Sequence, residues 1–262
     1  MGLDRKSLIK AFLSVIEKLK ELVFPSNIYC ICCENIIDHT RPYSLCDACV
    51  RNLHWANEKT CKKCGKVLGE NYRREICNDC LEIEHFFEKG FTCAEYGMYE
   101  KLMIRDYKYH AKPYFGDKLA EIMFDRLIIE ALPVDLIIPV PMHRIKERKR
   151  GYNQAALLAK GLSKRMNVPF DQKLMMRSRV TRPMNKMNPQ ERRENVKDAF
   201  TLRLEKGKIV KGKKILLVDD IFTTGSTLDE CSKLLLDNGA LKIYMICFAA
   251  GGNRVYREET AS

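Results

Sequence analysis

The sequence predicts an α/β domain built on a parallel sheet, preceded by a small cysteine-rich domain that holds its shape through metal. Two observations carry this. The run from Ile215 to Val218 is too short for a helix and rich in branched residues, the pattern of a strand buried on both faces of a parallel sheet. Between Cys30 and Cys80 stand four C-x-x-C pairs, Cys30/Cys33, Cys46/Cys49, Cys61/Cys64 and Cys77/Cys80, separated by 12, 11 and 12 residues. Each pair can grip a Zn²⁺ ion from a tight knuckle, and two pairs complete a tetrahedral four-thiolate site, so eight ligands imply two zinc ions.

At 262 residues and 46% apolar content, the chain is long enough for one or two domains with a sizeable core. No apolar run approaches the ~20 residues of a membrane span, and the N-terminus lacks a signal-peptide layout. A cytoplasmic location is expected, where disulfides are rare and metal is the better use of paired cysteines. The net charge is +12, and the segment from Met142 to Lys197 carries all of it, with 16 Lys and Arg against 4 Asp and Glu. A basic field of that kind favours phosphate-rich ligands, pyrophosphate or nucleic acid.

In chain order, Ser7 to Phe24 reads as an amphipathic helix closed by Pro25, placed either against the next domain or on the inner face of a membrane. The expected domains are residues 1–25, this helix; 26–88, the double zinc ribbon; and 89–262, the α/β domain. The cysteine pairs join in sequence, first with second and third with fourth, or as a cross-brace of first with third; both fit the spacings. All eight ligands are structural, with no open position for a substrate water. Cys32 lies inside the first knuckle as a spare ligand, while Cys231 and Cys247 sit among core residues.

Phe91 to Tyr96 is strand-like, and Phe115 to Ile129 is helical by its apolar spacing. Tyr107, Lys108 and Tyr109 form a basic aromatic cluster, able to meet a phosphate and stack on a base, or equally to be helix surface. A second informative strand lies within Val134 to His143, stopped by Pro139 and Pro141. A basic loop, Arg144 to Gln154, follows it, then a helix from Ala155 to Arg165. Arg177 to Phe200 is expected to be a long polar loop. Ile243 to Ala249 forms the last strand.

The most informative stretch runs from Lys214 to Thr227. Thr223 to Thr227, with Gly225 among hydroxyls, can aim backbone N–H groups and side chains at one anion at a helix N-terminus. It is no Walker A loop, because no Lys follows the glycine. Asp219 and Asp220 just upstream can accept hydrogen bonds from a diol or hold Mg²⁺ through its waters. A ribose 5-phosphate has that spread. The helix that follows, marked by Leu228, Cys231, Leu234 and Leu235, ends at Asn238 and Gly239.

Val218 to Thr227 resembles the phosphoribosyl pyrophosphate (PRPP) motif of type I phosphoribosyltransferases, and the chain as a whole resembles the ComF/ComFC competence family, down to Arg150, Gly151, Asn153 and Gln154, with Tyr152 where the family has Phe. The resemblance implies the type I phosphoribosyltransferase fold. It implies Asp219 and Asp220 on the ribose hydroxyls, and Thr223, Thr224, Gly225, Ser226 and Thr227 on the 5-phosphate. Arg150, Arg144 and Lys146 would take the pyrophosphate. Lys108 and Arg192 are candidates for the hood and the closing loop, and Thr181, Asn195, Ala199 and Phe200 match the family's loop. Met184 stands where the family usually has Gln. The implied function is a Mg-dependent phosphoribosyltransferase of natural transformation, handling single-stranded DNA beside a helicase-like ComF partner. A non-catalytic strand binder and a PRPP sensor are the alternatives. No stretch announces the acceptor.

Overall fold

Short apolar runs pair side by side as strands, and the periodic stretches between them pack across the sheet faces. The computed structural model describes residues 28–109, 114–184, 187–203 and 207–253. The amphipathic helix expected over 7–24 lies outside the described residues. The chain divides into two compact units, Met1–Arg51 and Asn52–Ser262.

In the first unit, Cys30, Cys33, Cys46 and Cys49 bring their sulfurs within 4.8 Å of one another. Helix α1 is Asp47–Asn52. The second unit opens with the same device: Cys61, Cys64, Cys77 and Cys80 converge within 4.8 Å, the last pair at the start of helix α2, Asn78–Glu82. The pairs therefore join in sequence, first with second and third with fourth. Cys33 and Cys46 stand 3.7 Å apart and Cys64 and Cys77 3.6 Å apart, sulfur to sulfur. A tetrahedron with metal–sulfur bonds of ~2.3 Å has edges of roughly 3.8 Å, whereas a disulfide needs ~2.05 Å. The thiols are thus spaced for zinc. Backbone amides support them, Cys46 N–H on Cys30 Sγ and Cys77 N–H on Cys61 Sγ.

The rest of the second unit follows in order. Strand β1, Lys89–Glu95, leads to helices α3, Met98–Tyr109, and α4, Phe115–Ile128. Strand β2, Leu136–Pro139, is followed by α5, Arg144–Arg150, and α6, Gln154–Met166. Then come β3, Met175–Arg177, α7, Pro189–Val196, β4, Phe200–Leu202, and the single turn α8, Gly207–Val210. Strand β5, Lys214–Phe222, helix α9, Ser226–Asp237, and strand β6, Lys242–Ala250, complete it. The main sheet has the order β1-β6-β5-β2, all parallel, and β3 pairs with β4 as a small antiparallel ribbon. Strand β5 is therefore internal, and the apolar run from Ile215 to Val218 is fully buried, as two covered faces require.

Three local expectations are corrected. The basic segment after β2 is a helix, not a loop: His143 accepts the Ile145 N–H at 3.3 Å as N-cap, and Gly151 closes it at φ 91°. The polar stretch from Arg177 to Phe200 contains α7, started by Asn188 and Glu191, which bond each other's backbone N–H at 2.9 and 2.8 Å. Strand β5 does not stop at Val218; Ile221 and Phe222 still pair with Ala249 and Ala250. The two aspartates lie inside the strand.

The second knuckle is part of the α/β core. Cys61, Cys64 and Cys77 share one buried cluster with Phe87, Leu217, Phe222, Leu228 and Met245. Gly65, at φ 77°, backs onto β1, where an added Cβ would come within 2.8 Å of the Gly90 carbonyl. Lys66 and Asp79, 2% and 5% exposed, form a buried ion pair beside it. In the first cluster, by contrast, Cys33 is exposed. A chelator is expected to strip zinc in two phases, the first without loss of near-ultraviolet circular dichroism and the second together with it. Cys33→Ser should remove only the early phase; a single release step concurrent with unfolding would contradict the distinction.

Candidate phosphate and ribose site

The carboxyl ends of β2 and β5 lie side by side, Pro139 opposite Val218, so whatever follows them meets at one edge of the sheet. After Phe222 the chain turns through Thr223 and Thr224 into Gly225, which sits at φ 80° as the N-cap of α9. Only glycine takes that conformation without strain. The turn points the free amides of the first helical residues at one spot, and the Thr224 and Ser226 hydroxyls bond each other there at 2.9 Å. Asp219, Thr223, Thr224, Gly225, Ser226 and Thr227 line one hollow, and Asp220 does not. Met184 lines it too.

The aspartates alternate across the strand, as neighbours must. Asp219 Oδ1 accepts the Asp220 N–H at 2.9 Å. Burial, and then the adjacent Asp220 charge, push the Asp219 carboxyl up to about 7. Asp220, 8% exposed, meets Lys108 Nζ at 2.6 Å. Burial alone would lower the Lys108 ammonium pKa, but the attraction of Asp220 outweighs it and the net shift is upward. The last turn of α3 thus brings Lys108 to the carboxylate pair.

The neighbouring tyrosines divide. Tyr107 is fully buried and donates its hydroxyl to the Gln154 carbonyl at 2.9 Å, so it is no stacking platform. Tyr109 is 69% exposed, with the Arg150 guanidinium 5.1 Å from its ring centre. Arg150 also bonds Gln154 Oε1 at 2.6 Å. The three basic pyrophosphate candidates have different partners. Arg150 stands close enough to Lys108 to oppose its charge. Lys146 reaches the Thr181 carbonyl at 3.4 Å, and burial, then Arg177 and Arg150, lower its pKa. Arg144 lines a separate cleft of about 630 Å³ with Arg148, Lys173, Arg177 and Arg203. Arg192 is turned back on its own helix start, to the Met187 carbonyl at 3.0 Å.

Two residues escaped the sequence. Arg177, bonded to Thr181 Oγ1 at 2.6 Å, lies near enough to Asp219 to feel its charge. His85 packs behind Gly225 and bonds Asp229 in the first turn of α9. Arg177 could have been found in the basic segment; nothing in the sequence around His85 singles it out.

Residues 19–81 match the family described as a double zinc ribbon domain, and residues 152–261 match the phosphoribosyl transferase domain. The chain is 31% identical over 223 residues to competence protein F of Haemophilus influenzae, covering 83% of this chain and 94% of that one. It is 29% identical over 214 residues to the DNA utilization protein YhgH of Escherichia coli O157:H7, covering 78% and 89%. Identity to competence protein ComFC of Bacillus subtilis is 22% over 209 residues, covering 74% and 79%. The α/β unit thus has a phosphoribosyltransferase-like fold, joined to a double zinc ribbon.

Lys108→Met and Asp220→Asn should each destabilise the protein by about 1–3 kcal/mol, because each leaves a largely buried partner unmatched. A double-mutant cycle by urea unfolding should return a coupling of similar size; additive losses would deny the pair. Asp219 holds its proton more tightly folded than unfolded, so its contribution is present at low pH and is lost as pH rises through about 7. Relative to Asp219→Asn, the metal-free wild type should lose stability between roughly pH 4 and pH 7, as unfolding curves across that range would show.

Proposed function

The chain belongs to the competence protein F family, and from that premise we propose that it binds PRPP at the β5–α9 loop as a Mg-dependent phosphoribosyltransferase-like protein acting in DNA uptake. The observation that supports this is that the turn from Thr223 to Thr227, the aspartates Asp219 and Asp220, and Lys108 come together at one sheet edge. Thr223 to Thr227 would grip the 5-phosphate through amides and hydroxyls. Asp219 and Asp220 would accept from the ribose 2- and 3-hydroxyls.

Lys108 gives this reading a specific step. A ribose diol that takes Asp220 displaces Lys108, whose ammonium is then released beside Arg150. Both would face the pyrophosphate as the bond from C1 to its oxygen breaks, and the growing negative charge falls between two cations. The acceptor supplies the electron pair at C1, so no protein nucleophile is required; positioning and charge do the catalysis. Asp219 and Asp220 would hold Mg²⁺ through its waters, and the ion would supply charge neutralisation for the pyrophosphate. The aspartates alternate across the strand, which suits contact through water better than a closed cage of direct ligands.

A second reading has its own observation. Arg144, Lys146, Arg148 and Lys149 of α5 are all exposed, and the cleft beside them is lined by five cations and one carboxylate, Glu147. Such a surface suits single-stranded DNA, with Tyr109 as the aromatic neighbour. PRPP would then be sensed rather than consumed, with a helicase-like partner completing the DNA-handling machinery in the cytoplasm. No described helix is long and apolar enough to cross a membrane.

Calorimetric titration of the zinc-loaded protein with PRPP and Mg²⁺ should show binding that Asp220→Asn weakens by about tenfold or more, the worth of one charge-assisted contact. Pyrophosphate release in the same samples, with single-stranded DNA or small acceptors present, would establish turnover. Absence of PRPP binding would sink the first reading. Replacing Arg148 and Lys149 by Ala should lower the salt slope of strand binding by about 1.4 if both contact phosphates.

A further inference from the structure

His85 has no role in the chemistry above, yet it is among the most enclosed polar side chains of the second unit, its ring 1% exposed. Nδ1 lies 2.9 and 3.1 Å from the two oxygens of Asp229. A carboxylate only accepts, so the ring donates this bond. The Phe86 N–H adds a second donor to Asp229 Oδ1 at 3.3 Å. Asp229 in turn donates its own backbone N–H to the Gly225 carbonyl at 2.8 Å. One short path therefore links the imidazole to the glycine that opens the phosphate loop.

Contact supports the same link. A Cβ added to Gly225 would lie 2.7 Å from His85 Cε1 and 3.1 Å from Phe222, so the ring sits directly against the loop. His85 does not line the hollow formed by Thr223 to Thr227. It supports the loop from behind and touches no ligand placed there. The ring is fixed in turn: it stacks on Phe87 at 4.7 Å and meets Phe222 edge-on at 5.9 Å. Lys66 stands 5.5 Å over Phe222, and Lys66 is paired with Asp79 inside the second cysteine knuckle. Nε2 is buried without a partner among the described residues, as befits a ring held for its shape and for one bond.

We propose that His85 is a positioning residue of the phosphate loop, holding Gly225 in its left-handed conformation through Asp229 so that the amides of Thr224 to Thr227 stay aimed at a phosphate. This rests on the reading of that loop as a phosphate site. It ties the loop's affinity to the segment that follows the second knuckle, beyond the loop's own sequence.

The test uses the full zinc-loaded chain and follows the backbone amide resonances of Thr224, Gly225 and Ser226 during titration with ribose 5-phosphate. His85→Ala should displace the Gly225 resonance in the free protein and weaken binding by about tenfold, as loss of one hydrogen bond to a charged group would. His85→Asn, which keeps an N–H donor where Nδ1 stands, should recover part of both. Phe87→Leu, which removes the stack and leaves the bond, serves as the control for general loosening and should bind nearly as wild type. Unchanged binding by His85→Ala would overturn the proposal, as would equal weakening by His85→Ala and Phe87→Leu at equal loss of stability. If the wild type itself ignores ribose 5-phosphate, the phosphate reading fails; an unmoved Gly225 resonance in His85→Ala shows separately that His85 does not set the loop.

Discussion

Parallel strands in one sheet must all point the same way, and this constraint organises the second unit. Because β2 and β5 run side by side and end together, the basic helix after one and the hydroxyl loop after the other are delivered to a single edge. The sheet can be parallel only because both of its faces are covered, which demands uninterrupted apolar strands such as Ile215 to Val218. The two aspartates interrupt that run near the strand's carboxyl end, where a polar group can meet ligand or solvent. Their cost is visible: one is paired with a lysine and the other holds its proton unusually well.

The two cysteine clusters share a spacing but differ in what they do for the protein. The first stands in a unit whose described part is small, where zinc replaces a core that so short a segment cannot build. The second is built into a hydrophobic core that already exists. Its sulfurs lie among the side chains under the sheet, and its Gly65 lets the knuckle approach the backbone of β1 more closely than any other residue would. Metal at that site would consequently stiffen the wall against which Phe222 and Leu228, on either side of the β5–α9 loop, are packed.

Much of this was legible in the sequence, and the reasons are local. The cysteine pairs are spaced by ligand chemistry, so two four-thiolate sites can be read from the spacing alone. The β5 strand, its loop and α9 are announced by apolar periodicity and one glycine. What stayed hidden depends on tertiary neighbours. The α5 helix is so basic that its charge masked its caps, His143 and Gly151. The α7 helix has almost no apolar face, so only Asn188 and Glu191 could have revealed it. The pairing of Lys108 with Asp220 joins residues over a hundred positions apart, and His85 falls in a stretch that reads as a connector. No spacing rule encodes such contacts.

The Tyr152 hydroxyl has a mechanical consequence. The hydroxyl donates to the backbone carbonyl of Tyr107, while the Tyr107 hydroxyl donates to the carbonyl of Gln154. Two reciprocal ties thus join the end of α3 to the start of α6. Lys108 follows one anchor and Arg150 precedes the other, so the two cations are carried on one cross-braced frame. Each cation has its own partner in the free protein, Asp220 for Lys108 at 2.6 Å and Gln154 Oε1 for Arg150 at 2.6 Å. The segments that carry the two cations are thus tied to each other by tyrosine–backbone bonds, and not by the cations' own long side chains.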